Sequence, residues 1–317
     1  MQQPSIPVVD LRDFHTLDIG KRQAFILTVG DALRDIGFFA LVHHGIDADL
    51  IQKAYTVQSR FFDLPTASKT RYEVAELGGQ RGYTGFGKEH AKDHHAPDLK
   101  EFWHIGQPFS EAEAKDKGYA VNLWPTELPE FKTVMMDLYH RLEICALQLL
   151  EACSLYLGEP AARLRDIAVK GDSILRLINY PPIPADVHPL SVRAAAHEDI
   201  NLITLLIEAT ASGLEIKDRN GQWLPVVTPP GCIIVDAGDM LQNLTNGYLK
   251  STTHRVANPD NSRERRLSMP FFMHARREVP LDPMPACVRR TGGTELFPKI
   301  TAGDYLMQRL REIGLIK

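Results

Sequence analysis

From about residue 170 onward the chain breaks into runs too short for stable helices. Segments 173–178, 202–207, 214–217, 232–236, 254–257 and 267–274 are rich in aliphatic and β-branched residues and are separated by turn-forming stretches. The clearest turn is Asp218-Arg219-Asn220-Gly221, between Glu215-Ile216-Lys217 and Gln222-Trp223-Leu224. Asn-Gly tolerates the positive φ angles of a tight hairpin. Strands this short must bury their apolar faces against one another, and many of them in sequence predict a β-sandwich or jelly roll. No internal repeat or low-complexity tract interrupts the pattern.

Upstream the period changes from two to three or four. An extended start over 6–11 leads to Phe25, Val29, Leu33 and Ile36, one face of a helix that Gly37 ends. Residues 38–42 read as a buried strand, and Asp47 can cap a second helix with Ile51, Ala54, Tyr55 and Phe61 facing inward. Residues 78–108 read as an irregular glycine-rich loop lying against the rest of the chain. Leu128, Phe131, Met135, Leu138, Leu142, Cys145, Leu149, Ala152 and Tyr156 form the longest helical stripe, stopped by Gly158 and Pro160. Near the end, Leu306, Leu310 and Ile313 recur at helical spacing after a capping pair, Thr301 and Asp304. The expected class is a mainly β core with helices (α+β). Its parts are an N-terminal region over 1–120, a bracing helix within 121–170, a jelly-roll core over 171–280 and a helical extension over 281–317.

With 317 residues, 44% of them hydrophobic, the chain can bury a large core. Its 36 basic and 40 acidic residues give a formal charge of −4, so no broad electrostatic field favours nucleic acid. No basic start precedes an apolar run, and no apolar stretch reaches the roughly 18 residues that span a bilayer, so a cytoplasmic protein without a membrane partner is expected. Cys145, Cys153, Cys232 and Cys287 are scattered without Cys-x-x-Cys spacing and read as buried thiols.

His197-Glu198-Asp199 carries the first chemical signal. In a strand alternate residues share a face, so His197 and Asp199 can converge on one point while Glu198 faces away. His254, at the start of a later β-like run, can supply a third ligand. Two imidazoles and one carboxylate leave neighbouring coordination positions open, which suits iron(II) with dioxygen and a bidentate cosubstrate. His-x-Asp alone is more often a surface pair than a ligand set. The added weight comes from Arg266-Leu267-Ser268, which puts a guanidinium and a hydroxyl on one strand face. That pair can grip the distal carboxylate of an oxoacid such as 2-oxoglutarate.

These residues, in this order, resemble the isopenicillin N synthase-like group of 2-oxoglutarate and iron(II) dioxygenases. The resemblance extends through Gly238-Asp239-Met240-Leu241-Gln242-Asn243-Leu244, and upstream through Ile6-Pro7-Val8-Val9-Asp10, His44-Gly45-Ile46, Arg81-Gly82-Tyr83 and Lys100-Glu101-Phe102-Trp103. It implies a double-stranded β-helix (jelly roll) core. It also implies that Tyr180, before Pro181, touches the oxoacid. Asn179 stands beside it, with the chain one residue short of the plant pattern Asn-Tyr-Tyr-Pro. The implied reaction consumes 2-oxoglutarate and O2, is stimulated by ascorbate, releases succinate and carbon dioxide, and hydroxylates, desaturates or cyclises a small molecule.

An oxidase of the isopenicillin N synthase type, working without 2-oxoglutarate, would share the ligands. So would a zinc hydrolase, and a non-catalytic binding module could keep the fold. Tyr83, Phe86, Trp103, Arg176 and Phe272 are candidate substrate contacts, although aromatic residues more often serve the core. His90, His94 and His95 could mark a second metal site, but a solvated loop is the better reading.

Overall fold

Residues 6–89, 98–182, 193–211, 213–257 and 264–316 are described by the computed structural model. The cluster His90, His94 and His95 lies outside them. Strands β1 (Val8–Asp10), β2 (Phe38–Val42), β3 (Gly82–Thr84), β4 (Glu101–Gly106), β5 (Ile174–Tyr180) and β6 (Ala194–His197) come first. They are followed by β7 (Ile203–Ile207), β8 (Leu214–Lys217), β9 (Trp223–Pro225), β10 (Ile233–Ala237), β11 (His254–Val256) and β12 (Arg266–Met273).

The strands form two sheets, one of eight in the order β1-β2-β10-β7-β12-β5-β4-β3 and one of four in the order β6-β11-β8-β9. Only the β1–β2 pair is parallel among these. The sheets face each other: Phe38 of the larger meets His254 of the smaller edge-on, with ring centroids 5.5 Å apart. On the outer face of the larger sheet lies the 27-residue helix Phe131–Leu157, whose Tyr139 packs edge-on against Phe271 at 5.1 Å. This is the jelly roll with a bracing helix, and it explains the strand texture. A strand covered on both sides has no solvent face, so β10 is buried at all five positions. Its alternation survives as a choice of neighbour. Ile233 and Val235 join the core on the helical side, while Ile234 joins Phe38 and Ile216 between the sheets.

Local chemistry sets the boundaries. The Asp47 carboxylate accepts from Asp49 N at 2.8 Å to start the helix Ala48–Phe62. Gly158, at φ 80°, closes the long helix in the left-handed region. At the hairpin tip Gly221 also has φ 80°, and Asp218 Oδ1 accepts from Asn220 N and Gln222 N.

The glycine-rich stretch differs from expectation, because it contains β3 and β4, which extend the larger sheet beyond β5. All six residues of β4 are buried, Glu101 and His104 included. Glu101 is held by the Lys69 ammonium at 2.8 Å. Burial of paired charges removes the polar alternation by which a sequence advertises a strand.

Candidate metal and oxoacid site

β6 ends at His197, and Asp199 lies two residues beyond it rather than within the strand. The two still converge because the chain turns there. Asp199 O accepts from Asp239 N at 2.7 Å, and one carboxylate oxygen takes a short hydrogen bond from Thr204 Oγ1. This turn needs Gly238, since a Cβ there would lie 2.3 Å from the Asn201 carbonyl oxygen. β11 pairs with β6 so that His254 stands opposite His197, and their ring centroids are 4.4 Å apart.

The Nε2 atoms of His197 and His254 lie 3.7 and 3.8 Å from Asp199 Oδ1, and all three ligand atoms fall within 4.8 Å of one another. His197 Nδ1 bonds the Ala195 carbonyl at 2.7 Å and His254 Nδ1 the Thr252 carbonyl at 3.1 Å. Those contacts place the proton on Nδ1 and leave each Nε2 lone pair for an ion. Burial, then repulsion from His254, lowers the His197 pKa and favours the neutral ring that a metal requires. Among the described residues this is the group of His, Cys, Asp and Glu side chains able to close on one ion.

Two cavities meet at the triad, sharing His197, Asp199, Lys100, Arg176 and Phe272 in their walls. The smaller, about 70 Å³, runs between the sheets to Tyr180, Arg266 and Ser268. Arg266 is 2% exposed, with Nε bonded to the Ala211 carbonyl at 3.1 Å and Nη1 buried without a partner. Its guanidinium lies over the Tyr180 ring, 5.1 Å from the centroid. A buried guanidinium with an unused donor suits a carboxylate, and the donor set at the other end suits a divalent metal. The larger cavity, about 210 Å³, is walled by strand residues, by 198–201 and by Leu306, Arg309 and Leu310 of the C-terminal helix Ala302–Glu312.

Residues 6–127 match the model of the non-haem dioxygenase N-terminal region, described for morphine synthesis, and residues 171–275 match that of the 2OG-Fe(II) oxygenase superfamily. A 2-oxoglutarate-Fe(II) type oxidoreductase of Aspergillus fumigatus is 31% identical over 278 residues, covering 84% of this chain and 81% of its own. The chain belongs to the 2OG-Fe(II) oxygenase superfamily.

A putative 2OG-Fe(II) oxygenase family protein of Caulobacter crescentus superposes with a TM-score of 0.86 at 38% identity, over 98% of this oxygenase and 99% of that chain. A Neurospora crassa protein solved with alpha-KG, that is 2-oxoglutarate, and thymine superposes with a TM-score of 0.86 at 27% identity, over 96% of each chain. The oxygenase therefore requires iron(II), 2-oxoglutarate and dioxygen. No helix among its described residues is long and apolar enough to cross a membrane.

The other residues singled out from sequence are placed as follows. Asn179 points away from Tyr180 and lines neither cavity, its amide donating to Glu101 Oε1 at 2.7 Å and its oxygen accepting from Arg265 Nε at 2.6 Å. Tyr83 and Trp103 are core residues, Tyr83 donating to Glu101, and Phe86 is 49% exposed away from both cavities. Arg176 and Phe272 line both cavities. Sequence reasoning passed over Glu89, Asp98 and His104 in the larger cavity and Asp236 in the smaller. Asp236 is buried with Oδ2 unpartnered, and burial followed by the charge of Asp199 pushes its carboxyl well up. Position in β10, on the face of Ile234, was the available signal.

Proposed function

We propose that His197, Asp199 and His254 hold the iron of this 2-oxoglutarate-dependent oxygenase, that Arg266 and Ser268 beside Tyr180 hold the distal carboxylate of 2-oxoglutarate, and that a small organic molecule is oxidised in the larger cavity. Bound iron(II) supplies dioxygen activation, coupling decarboxylation of 2-oxoglutarate to succinate with oxidation of a substrate C–H bond. The observation that carries the assignment is the unused Nη1 of buried Arg266 at the far end of a narrow cavity that starts at the triad. A dianion spanning that cavity would satisfy the guanidinium at one end and would meet the metal held by His197, Asp199 and His254 at the other.

The chain's own part is positional. Thr204 fixes the rotamer of Asp199, and backbone carbonyls fix both imidazoles. Strand pairing sets Arg266 opposite Tyr180. Tyr180, Arg266 and Ser268 are themselves buried, and a charge-assisted contact is stronger in such surroundings than in water. Hydroxylation is the outcome expected when the substrate presents a C–H bond to the metal, and this is the reaction in the name of a rice relative, a homoarginine-6-hydroxylase 29% identical over 289 residues. Four buried thiols, unpaired among the described residues, suit a reducing compartment, so we assign the protein to the cytoplasm.

The test is succinate release from 2-oxoglutarate by the iron-loaded enzyme across a panel of small molecules. Substrate-stimulated succinate that disappears without iron or oxygen is expected. Substrate oxidation without succinate would instead make the protein an oxidase of the isopenicillin N synthase type.

A further inference from the structure

Tyr180 and Arg266, assigned above to the distal carboxylate of 2-oxoglutarate, stand where their sheet is least constrained. Tyr180 is the last residue of β5 and Arg266 the first of β12, so their pair ends the register between the two strands. Neither flanking strand reaches that pair. β4 pairs with β5 no further than Asn179, and β7 pairs with β12 no further than Met269. The ladder therefore holds the pair from one side only, and strand ends held in this way fray. A guanidinium that grips a carboxylate through parallel hydrogen bonds tolerates little such motion, since a site about 1 Å too loose fails.

On the opposite face of the same two strand ends lies a polar network. Asn179 Nδ2 donates to Glu101 Oε1 at 2.7 Å, and Arg265 Nε donates to Asn179 Oδ1 at 2.6 Å. Both ends of this chain of contacts are anchored to the N-terminal region. Glu101 is 2% exposed and paired with Lys69 at 2.8 Å, and Lys69 Nζ also donates to the Phe62 carbonyl at 3.1 Å. Arg265 Nη1 donates to Asp63 Oδ1 at 2.6 Å and to Ser59 Oγ at 3.2 Å. Within the sheet's cover, Gln58 of the helix Ala48–Phe62 is fully buried and donates Nε2 to the carbonyls of Ile178 at 2.9 Å and Ser268 at 3.2 Å. Those two residues stand opposite each other, two positions inside the pair that meets the cosubstrate.

Alternation joins the two faces. Asn179 precedes Tyr180 and Arg265 precedes Arg266, so a side-chain link between the first members fixes the separation of the second. Asn179, Arg265 and Gln58 line neither cavity, and their influence on a bound oxoacid passes through the backbone.

We propose that Asn179 and Arg265, anchored to the N-terminal helix and the residues after it, are positioning residues that hold Arg266 and Tyr180 at the spacing the 2-oxoglutarate carboxylate requires. The proposal rests on the cosubstrate assignment given above and gives the N-terminal region a part in cosubstrate binding.

The test is a double-mutant cycle read by anaerobic calorimetry on iron-loaded protein titrated with 2-oxoglutarate, comparing wild type, Asn179→Ala, Arg266→Leu and the two combined. Asn179→Ala should weaken 2-oxoglutarate by roughly tenfold while iron affinity stays within about twofold. With Arg266 already replaced, the same substitution should cost less than about twofold, because Asn179 acts through that guanidinium. Arg265→Gln changes a side chain that is 27% exposed, so it keeps the proposal testable should the buried variant misfold. It should show the same loss and the same dependence on Arg266. Losses of equal size with and without Arg266, a parallel fall in iron affinity, or unchanged 2-oxoglutarate affinity in both variants overturns the proposal. Absent 2-oxoglutarate binding by the wild type, or unchanged binding in Arg266→Leu, overturns the cosubstrate assignment instead.

Discussion

The two cavities that meet at the triad are built in opposite ways. The oxoacid end of the smaller is made of strand residues at fixed registers, with Arg266 opposite Tyr180 and Ser268 opposite Ile178. The larger draws on strands, on the turn 198–201 and on a helix more than a hundred residues from His197. Adjacent strands fix spacing through backbone hydrogen bonds, whereas a helix laid over an opening is set by side-chain contacts. Here those are Tyr305 Oη donating to Asp239 Oδ2 at 2.8 Å and Arg309 standing 3.8 Å from the same oxygen. The difference teaches that cosubstrate chemistry is carried by the sheet, and that substrate choice can change through the helix and loops without disturbing it.

That contrast can be broken by substitution. Arg266→Leu should weaken 2-oxoglutarate by roughly a hundredfold, since a charge-assisted pair worth about 1.5–3 kcal/mol is lost in a buried site. Calorimetry on the iron-loaded variant reads this, and a change below threefold would detach Arg266 from the cosubstrate. Leu310→Ala, which removes a buried side chain from the helix wall, should cost about 2–5 kcal/mol of stability in denaturant melts. It should also shift substrate KM by roughly tenfold while the 2-oxoglutarate KM stays within twofold, because the cavities share no residue of that helix. Equal shifts in both constants would show that the two ends are not separable. Ser268→Ala should raise the 2-oxoglutarate KM by roughly fivefold, the value of about one hydrogen bond, without altering substrate KM. The smallest effect concerns residues outside both cavities. Burial pushes the Cys145 and Cys153 thiols up to about 12 and raises those of Cys232 and Cys287. Native protein should accordingly resist a thiol-alkylating reagent that labels all four cysteines in denaturant.

The same division governs what was legible in the sequence. Strands β7, β8, β10 and β12 could be read because their aliphatic runs and turn residues act locally, and the Asp218 to Gly221 turn names its own hairpin. The long helix showed itself by period. His197, Asp199, His254, Arg266 and Ser268 stood out by their spacing and order, which match those of the family the sequence resembles, and not by residue type alone. β4 stayed hidden because its buried Glu101 is neutralised by Lys69, which lies 32 positions away. Glu89 and His104 were silent for the same reason: their significance arises only when β5 brings Arg176 between them. Asn179 illustrates the reverse case. It neighbours Tyr180 in sequence, but strand alternation turns it toward Glu101 and Arg265.

The measurement that bears most directly on the account is the iron content of anaerobically reconstituted protein, compared with Asp199→Ala and His254→Ala. Roughly one iron per wild-type chain is expected, with a drop of at least tenfold in affinity for each variant and a folded signature retained in circular dichroism. Full iron occupancy in both variants would place the metal elsewhere and contradict the assignment of His197, Asp199 and His254.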